Sequence, residues 1–413
     1  MLSRNVELKL ISLVFVLFAF GLNGSDLFLP NFITFNKVGL FIILCLLINL
    51  SLSDRLINIF NIAPFIFLLY ILIIIGLVSI FFSNFQQDIS YIPIINLLLS
   101  IFIFIVFYGI IKPLDNSSLD KIVNTIVILA FILTTIFFLY FLNVIIDVGI
   151  QNNWQIRNEI NDNVSVGLSR IMNGMFIVNS ISLGKLVFKI TPKYKLVSYF
   201  SFFQFIAITI IAGSRQTLLS IIIFTLLMII LKYFTITGFK RVKHTIFIFI
   251  FISILSLSLY ILLTYFSNSI ISSWIIRRFF EDTSSQLNGD YGRLSIILSG
   301  IEMAKEHFIL GAGPGTFNKW SFNNMYAHNS FANLGSTFGL IALFFFISTI
   351  LFILLIATKR IITISLQYKN ITIIFFSLAC TTFFIGLNFN DLIFEYIFWT
   401  IFAFVLPLMY KDG

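Results

Sequence analysis

Apolar runs of about twenty residues, each long enough to cross the hydrocarbon core of a bilayer, follow one another along nearly the whole chain. They predict twelve spans, at 8–24, 37–52, 60–82, 91–111, 122–147, 168–188, 196–213, 216–232, 245–266, 329–357, 371–388 and 392–410. The run at 168–188 is the least apolar in pattern, because Arg170, Asn173, Asn179 and Lys185 interrupt it. The expected fold is all-α: a polytopic integral membrane protein of about twelve transmembrane helices, with residues 1–413 forming a single membrane domain. Two polar insertions break the rhythm, one between Asp147 and Leu168 and a longer one over residues 267–328. Within the second, Leu294, Ile297, Leu298, Ile301, Ala304 and Phe308 recur at helical spacing, with Glu302, Lys305 and Glu306 on other faces. That pattern predicts an amphipathic helix lying on the membrane or capping the bundle. It ends at Gly311–Gly315 (GAGPG), where glycine and proline stop a helix, and the chain re-enters the bilayer at His328 and Asn329.

Composition excludes a soluble globular domain. Of 413 residues, 59% are hydrophobic and only 10% charged, and the mean hydropathy is +1.05, whereas about a quarter of residues are charged in soluble domains. The net charge of +9 would suggest nucleic acid if it were clustered, but its distribution points to membrane topology. With both termini inside, the cytoplasmic loops hold 17 Lys and Arg against five Asp and Glu, and the outer loops nine against twelve. The positive-inside rule favours this orientation. It turns the loop over residues 267–328 outward, to the periplasm in a two-membrane envelope. The first span reads as a retained helix, since no small-residue cleavage site follows it. Cys45 and Cys380 both fall in apolar runs, so neither a disulfide nor a thiolate metal site is expected.

The outward basic residues are mostly arginine: Arg157, Arg170, Arg215, Arg277, Arg278 and Arg293. Lysine would serve topology equally well, but the guanidinium fork matches phosphate or carboxylate bidentately. The outer face is therefore suited to an anion rich in phosphate oxygens. The competing reading pairs these arginines with Glu159, Asp162, Glu281, Asp282 and Asp290.

The polar stretch over residues 293–340 concentrates the candidate chemistry. His328 stands where a span begins, next to Asn329 and Ser330, which can cap the helix. A helix N-terminus disfavours the imidazolium, so this histidine suits a general base; the plainer alternative is an interfacial histidine that only packs. Arg215 sits between two spans with almost no loop around it, which calls either for an anionic partner or for snorkelling to the headgroups. Gly311, Gly313 and Gly315 match neither a dinucleotide fingerprint nor a Walker loop, and are read as a structural turn. No metal or other cofactor is expected. Asp391 and Glu395 flank the last outer turn as spare acids or ion-pair partners.

Taken together, Arg293, Gly300, Gly311, Gly313, Gly315 and Phe317, then Ala327 to Phe331 and Gly339, with Gly213 to Arg215 upstream, resemble the O-antigen ligase and O-antigen polymerase superfamily. The matching motifs cover about fifty residues plus the short arginine motif. The resemblance implies a membrane glycosyltransferase that acts on undecaprenyl-diphosphate-linked oligosaccharide at the periplasmic face of the inner membrane. It assigns Arg215 and Arg293 to the diphosphate and His328 to the base or the acceptor, with Asn329 beside it. Arg170, Arg277 and Arg278 are further candidates for holding diphosphate or polymer. Membrane lipids and a chain-length regulator are the expected partners, and nucleic acid is not. The superfamily includes polymerases, ligases that move finished chains onto lipid A-core, and protein-directed transferases; the last commonly carry larger soluble appendages, which this sequence lacks, and the reading leans to polymerase with no single residue deciding it. A transporter of lipid-linked sugar or anions is the competing class, but it would place its charges nearer the midplane.

Overall fold

In the computed structural model the described residues are 2–20, 34–52, 63–83, 90–148, 168–188, 194–212, 214–235, 293–317, 329–363, 366–385 and 395–409. They form twelve helices: α1 (Arg4–Phe20), α2 (Phe35–Leu52), α3 (Ala63–Phe82), α4 (Ile92–Ile111), α5 (Asn116–Val148), α6 (Leu168–Phe188), α7 (Lys195–Ile211), α8 (Arg215–Thr235), α9 (Arg293–Glu306), α10 (Ser330–Thr363), α11 (Leu366–Ile385) and α12 (Tyr396–Met409). No strand occurs among them. Eleven of the twelve expected runs fold as helices, and the run at 245–266 lies outside the described residues. Five helices are long and apolar enough to cross a membrane, and several shorter apolar ones accompany them.

The fold explains why α6 looked least like a span. Every residue from 171 to 182 is buried, with α1, α5, α7, α8 and α11 around it. A helix enclosed by protein can carry polar groups that a lipid-facing helix cannot, provided they are paired. Asn179 is paired threefold: its Nδ2 donates to Thr134 Oγ1 and to Met175 O, both at 2.9 Å, and its Oδ1 accepts from Ser201 Oγ at 2.6 Å. Aromatic rings fill the neighbouring core. Phe375 stacks on Phe404 at 4.5 Å and Phe15 meets Phe404 edge-on at 5.4 Å, which joins α1, α11 and α12.

Lysines and capping groups gather at one end of the bundle. There Arg4 donates to Pro113 O, Asn49 Nδ2 to Glu7 Oε1, Lys185 to Asn124 Oδ1 and Lys232 Nζ to Val187 O. The glycine-rich turn closes the opposite end.

Two features differ from the sequence reading. The run from 329 to 357 reads as one uninterrupted span, but α10 breaks at Gly339, whose φ of 86° and ψ of 164° are not helical. The buried face of α9 also shares only Ala304 with the stripe read from the sequence. Ile296, Gly300, Met303 and Ala304 are buried, while Leu298, Ile301 and Phe308 face outward. Close approach decides this: a Cβ at Gly300 would stand 3.1 Å from Ala332 Cβ and 3.2 Å from the Phe317 ring. Small residues at Gly300 and Ala304 let α9 lie flush on α10 beside the buried Ile296 and Met303, and Leu298, Ile301 and Phe308 are left at the surface.

Candidate functional site

The site grows out of the helix break. In a continuous helix the Leu340 amide would bond to Ser336 O, four residues back. Here Leu340 N donates to Phe308 O at 3.0 Å, and Ser336 O accepts from Ala312 N at 2.8 Å. Gly313 N donates to Thr337 O at 3.0 Å. The turn after α9 thus takes up backbone groups freed by the break, as buried polar groups require. Gly339 must be glycine on two counts: its φ is positive, and a Cβ there would come within 2.2 Å of Ile309 O. Gly311, Gly313 and Gly315 also have positive φ.

The same turn is tied to α3 and α4. Ser83 Oγ donates to Ala312 O, and Ser90 N donates to Pro314 O at 2.9 Å. A Cβ at Gly315 would stand 2.5 Å from Ser90 Cβ. Ser83 and Ser90 were not legible as site residues, because nothing local in the sequence marks a contact made across more than two hundred positions.

The strap fixes the nine-residue helical segment from Ser330 to Phe338. Its N-terminus is capped by Asn329, whose Oδ1 accepts from Phe331 N and Ala332 N, each at 2.9 Å. His328 immediately precedes this cap and itself lies outside the described residues, as do Arg277, Arg278 and Asp391. Arg170, Arg215 and Arg293 are described by helix position only.

Those positions converge. Phe176 of α6 meets Phe224 of α8 edge-on at 6.2 Å, and Lys232 near the far end of α8 bonds to Val187 near the far end of α6 at 3.2 Å. The two helices therefore run side by side in the same direction. Arg170 and Arg215 each lie seventeen residues before that second contact, so both begin their helices at the same depth. Phe331 of α10 meets Phe383 near the end of α11 at 5.4 Å, and α11 contacts both α6 and α8. The start of α10 thus belongs to the same end of the bundle. Gly300 lies against Ala332 and Ala304 near Gly335, so α9 runs alongside α10 in the same direction and its first residue, Arg293, falls beyond Asn329 at that end. Four helix starts carrying Arg170, Arg215, Arg293 and Asn329 share one end. Among the described residues, no group of three His, Cys, Asp or Glu could hold a metal ion.

The family model described as O-antigen ligase matches residues 200–347. That interval takes in Arg215, Arg293, the glycine turn, His328 and the break at Gly339, and leaves out Arg170. No curated protein matches the chain. The arginine helix start, the glycine turn, His328 and the capped segment that follows it thus all lie inside the one interval that is similar to the O-antigen ligase family.

Proposed function

We propose that this protein is a twelve-span membrane glycosyltransferase that polymerises undecaprenyl-diphosphate-linked oligosaccharide repeat units at the periplasmic face of the inner membrane. One observation carries the reading: the helix starts bearing Arg170, Arg215 and Arg293 share an end of the bundle with the strapped, Asn329-capped segment that follows His328. Arg215 and Arg293 hold the lipid diphosphate, and Arg170 supports them from the central helix. As the glycosidic bond breaks, negative charge grows on the leaving diphosphate. Arginines fixed in advance stabilise that charge more in the transition state than in the ground state. His328 takes the proton of the acceptor sugar hydroxyl as it attacks the anomeric carbon. Asn329 spends its carbonyl oxygen on the helix cap, which leaves its Nδ2 for the acceptor sugar. Arg277 and Arg278 guide the polymer, and the lysine-rich end faces the cytoplasm with both termini.

A second reading, transfer of finished polysaccharide to lipid A-core, is favoured by the ligase description of the matching family. Purified protein in detergent, given undecaprenyl-diphosphate-linked repeat units with and without lipid A-core, separates the two. A ladder on the lipid carrier supports the polymerase, and product on lipid A-core alone supports the ligase. Failure of either product to depend on His328, tested with His328→Ala, would return the transporter reading.

A further inference from the structure

The central helix carries two asparagines with opposite fates. Asn179 makes the three hydrogen bonds given above. Asn173, six residues nearer the arginine end, is only 7% exposed and has no hydrogen-bond partner among the described residues. Every residue from 171 to 182 is buried, so the Asn173 amide faces the protein interior with only a small opening to its surroundings. On the neighbouring helix, Gln216 Nε2 is sealed from solvent and is likewise without a partner. A buried amide left unpaired is costly, and each such group in a folded protein calls for an explanation.

Both amides face one seam. Asn173 stands three turns above Gly184, which lies against Ile374 of α11, and one turn above Phe176, which meets Phe224 of α8. Its side of α6 therefore opens on the junction with α8 and α11. Gln216 shares a side of α8 with Ser220 and Phe224 at i+4 and i+8, and so lines the same junction. Asn173 follows Arg170 by three residues, about 4.5 Å deeper along the axis, and Gln216 directly follows Arg215.

We propose that Asn173 and Gln216 form the neutral floor of the binding site for a lipid-linked diphosphate, donating hydrogen bonds to the phosphate on the prenyl side beneath the arginines. This rests on the glycosyltransferase reading. Depth explains the residue type. A third arginine this far into the bundle would be an expensive charge whenever the site is empty, whereas a carboxamide is cheaper to hold unliganded. Once diphosphate arrives, each amide gains a charge-assisted hydrogen bond. The prenyl-side phosphate keeps its bonds throughout the reaction, so the floor binds ground and transition states alike. Its loss should raise KM and leave kcat nearly unchanged.

The test uses full-length protein in nanodiscs, with undecaprenyl diphosphate as the binding probe and inorganic diphosphate as competitor. Asn173→Leu and Gln216→Leu should each weaken undecaprenyl diphosphate binding and raise the donor KM by about tenfold, with kcat held within about threefold. Their melting temperatures should hold or rise, since each replaces an unpaired amide with an apolar group of similar size. Asn179→Leu is the control: it should lower the melting temperature and leave the Kd unchanged. Unchanged Kd and KM in both floor variants, with His328-dependent transfer intact, would overturn the floor alone. Absence of His328-dependent transfer in the wild type would instead overturn the glycosyltransferase reading. Competition by inorganic diphosphate as strong as that by the lipid would overturn the prenyl-lipid assignment.

Discussion

The two ends of the bundle solve the same problem by different means. At the lysine end, side chains close the structure: Asn49 reaches Glu7, Lys185 reaches Asn124, and Lys232 and Lys369 cover backbone carbonyls. At the glycine end, backbone closes on backbone, through Ala312 to Ser336, Gly313 to Thr337 and Leu340 to Phe308. Long side chains tolerate small shifts of the helices they join. A backbone strap does not, because each of its bonds fixes two chain segments at once. An end that holds a capped segment beside the proposed base, His328, gains from that rigidity. Paired side chains at the other end suffice to insert and hold the bundle.

The largest effect should come from breaking the strap. Gly339→Ala forces a Cβ to within 2.2 Å of Ile309 O at a positive φ, at a cost of about 3 kcal/mol from strain and overpacking together. Transfer activity should be lost while the protein still reaches the membrane, as read by product gels beside a membrane-fraction blot. Activity close to wild type would mean that the break is not needed to position His328.

The mirror-image change at the lysine end should separate stability from chemistry. Asn49→Leu removes the donor to Glu7, a carboxylate only 2% exposed, and should lower stability by about 1–3 kcal/mol. Turnover per folded molecule should stay unchanged, measured by thermal melting in detergent beside kcat. A fall in kcat comparable to that of a strap variant would erase the distinction between the two ends.

How much of this contrast was legible in the sequence depends on how local its cause is. Helices driven by lipid-facing apolar runs were legible, because their signal lies within about twenty consecutive residues. The break at Gly339 was not, since the residues after it, Leu340 to Phe346, are as apolar as any span; only the turn segment from Phe308 to Gly313 makes a break favourable. The amphipathic stripe of α9 marked apolar residues that face outward, Leu298, Ile301 and Phe308, whereas its contact with α10 through Gly300 and Ala304 was not marked, because small residues carry little apolar signal. Asn173 stood out as an interruption of a span, but its pairing state depends on α8 and α11. The candidate chemistry was visible as residue types, with Arg215, Arg293 and His328 near helix starts. The charge distribution also put Arg170, Arg215 and Arg293 on one face, and the parallel run of α6 and α8 adds that Arg170 and Arg215 lie at the same depth.

A smaller effect concerns the cap next to the proposed base, His328. Asn329→Ala removes the acceptor for two amides and should cost about 1 kcal/mol of stability. Its effect on kcat should exceed what that loss explains, about tenfold or more, because the first turn of α10 orients His328. Restoration by Asn329→Asp or Asn329→Ser would assign the loss to capping, and no restoration would assign it to contact with substrate.

The smallest effect compares the caps of the two ends by their charge. Asp115 caps α5 at the lysine end, where Ser118 N donates to its Oδ1 at 3.3 Å. Hydrogen bonds from Ser118 first, and also from Ser117, hold its carboxyl below the usual range. A folded pKa that lies below the unfolded value, about 3.9, stabilises fully above that value and loses the contribution as pH falls through the folded pKa. Wild type should therefore melt slightly above Asp115→Ala from pH 8 down to about pH 5, and the gap should close in stronger acid. The neutral cap at Asn329 titrates nowhere in that range, so its gap against Asn329→Ala should stay flat. Two parallel gaps across the whole range would show that Asp115 acts through its hydrogen bond alone, and that charge does not distinguish the caps.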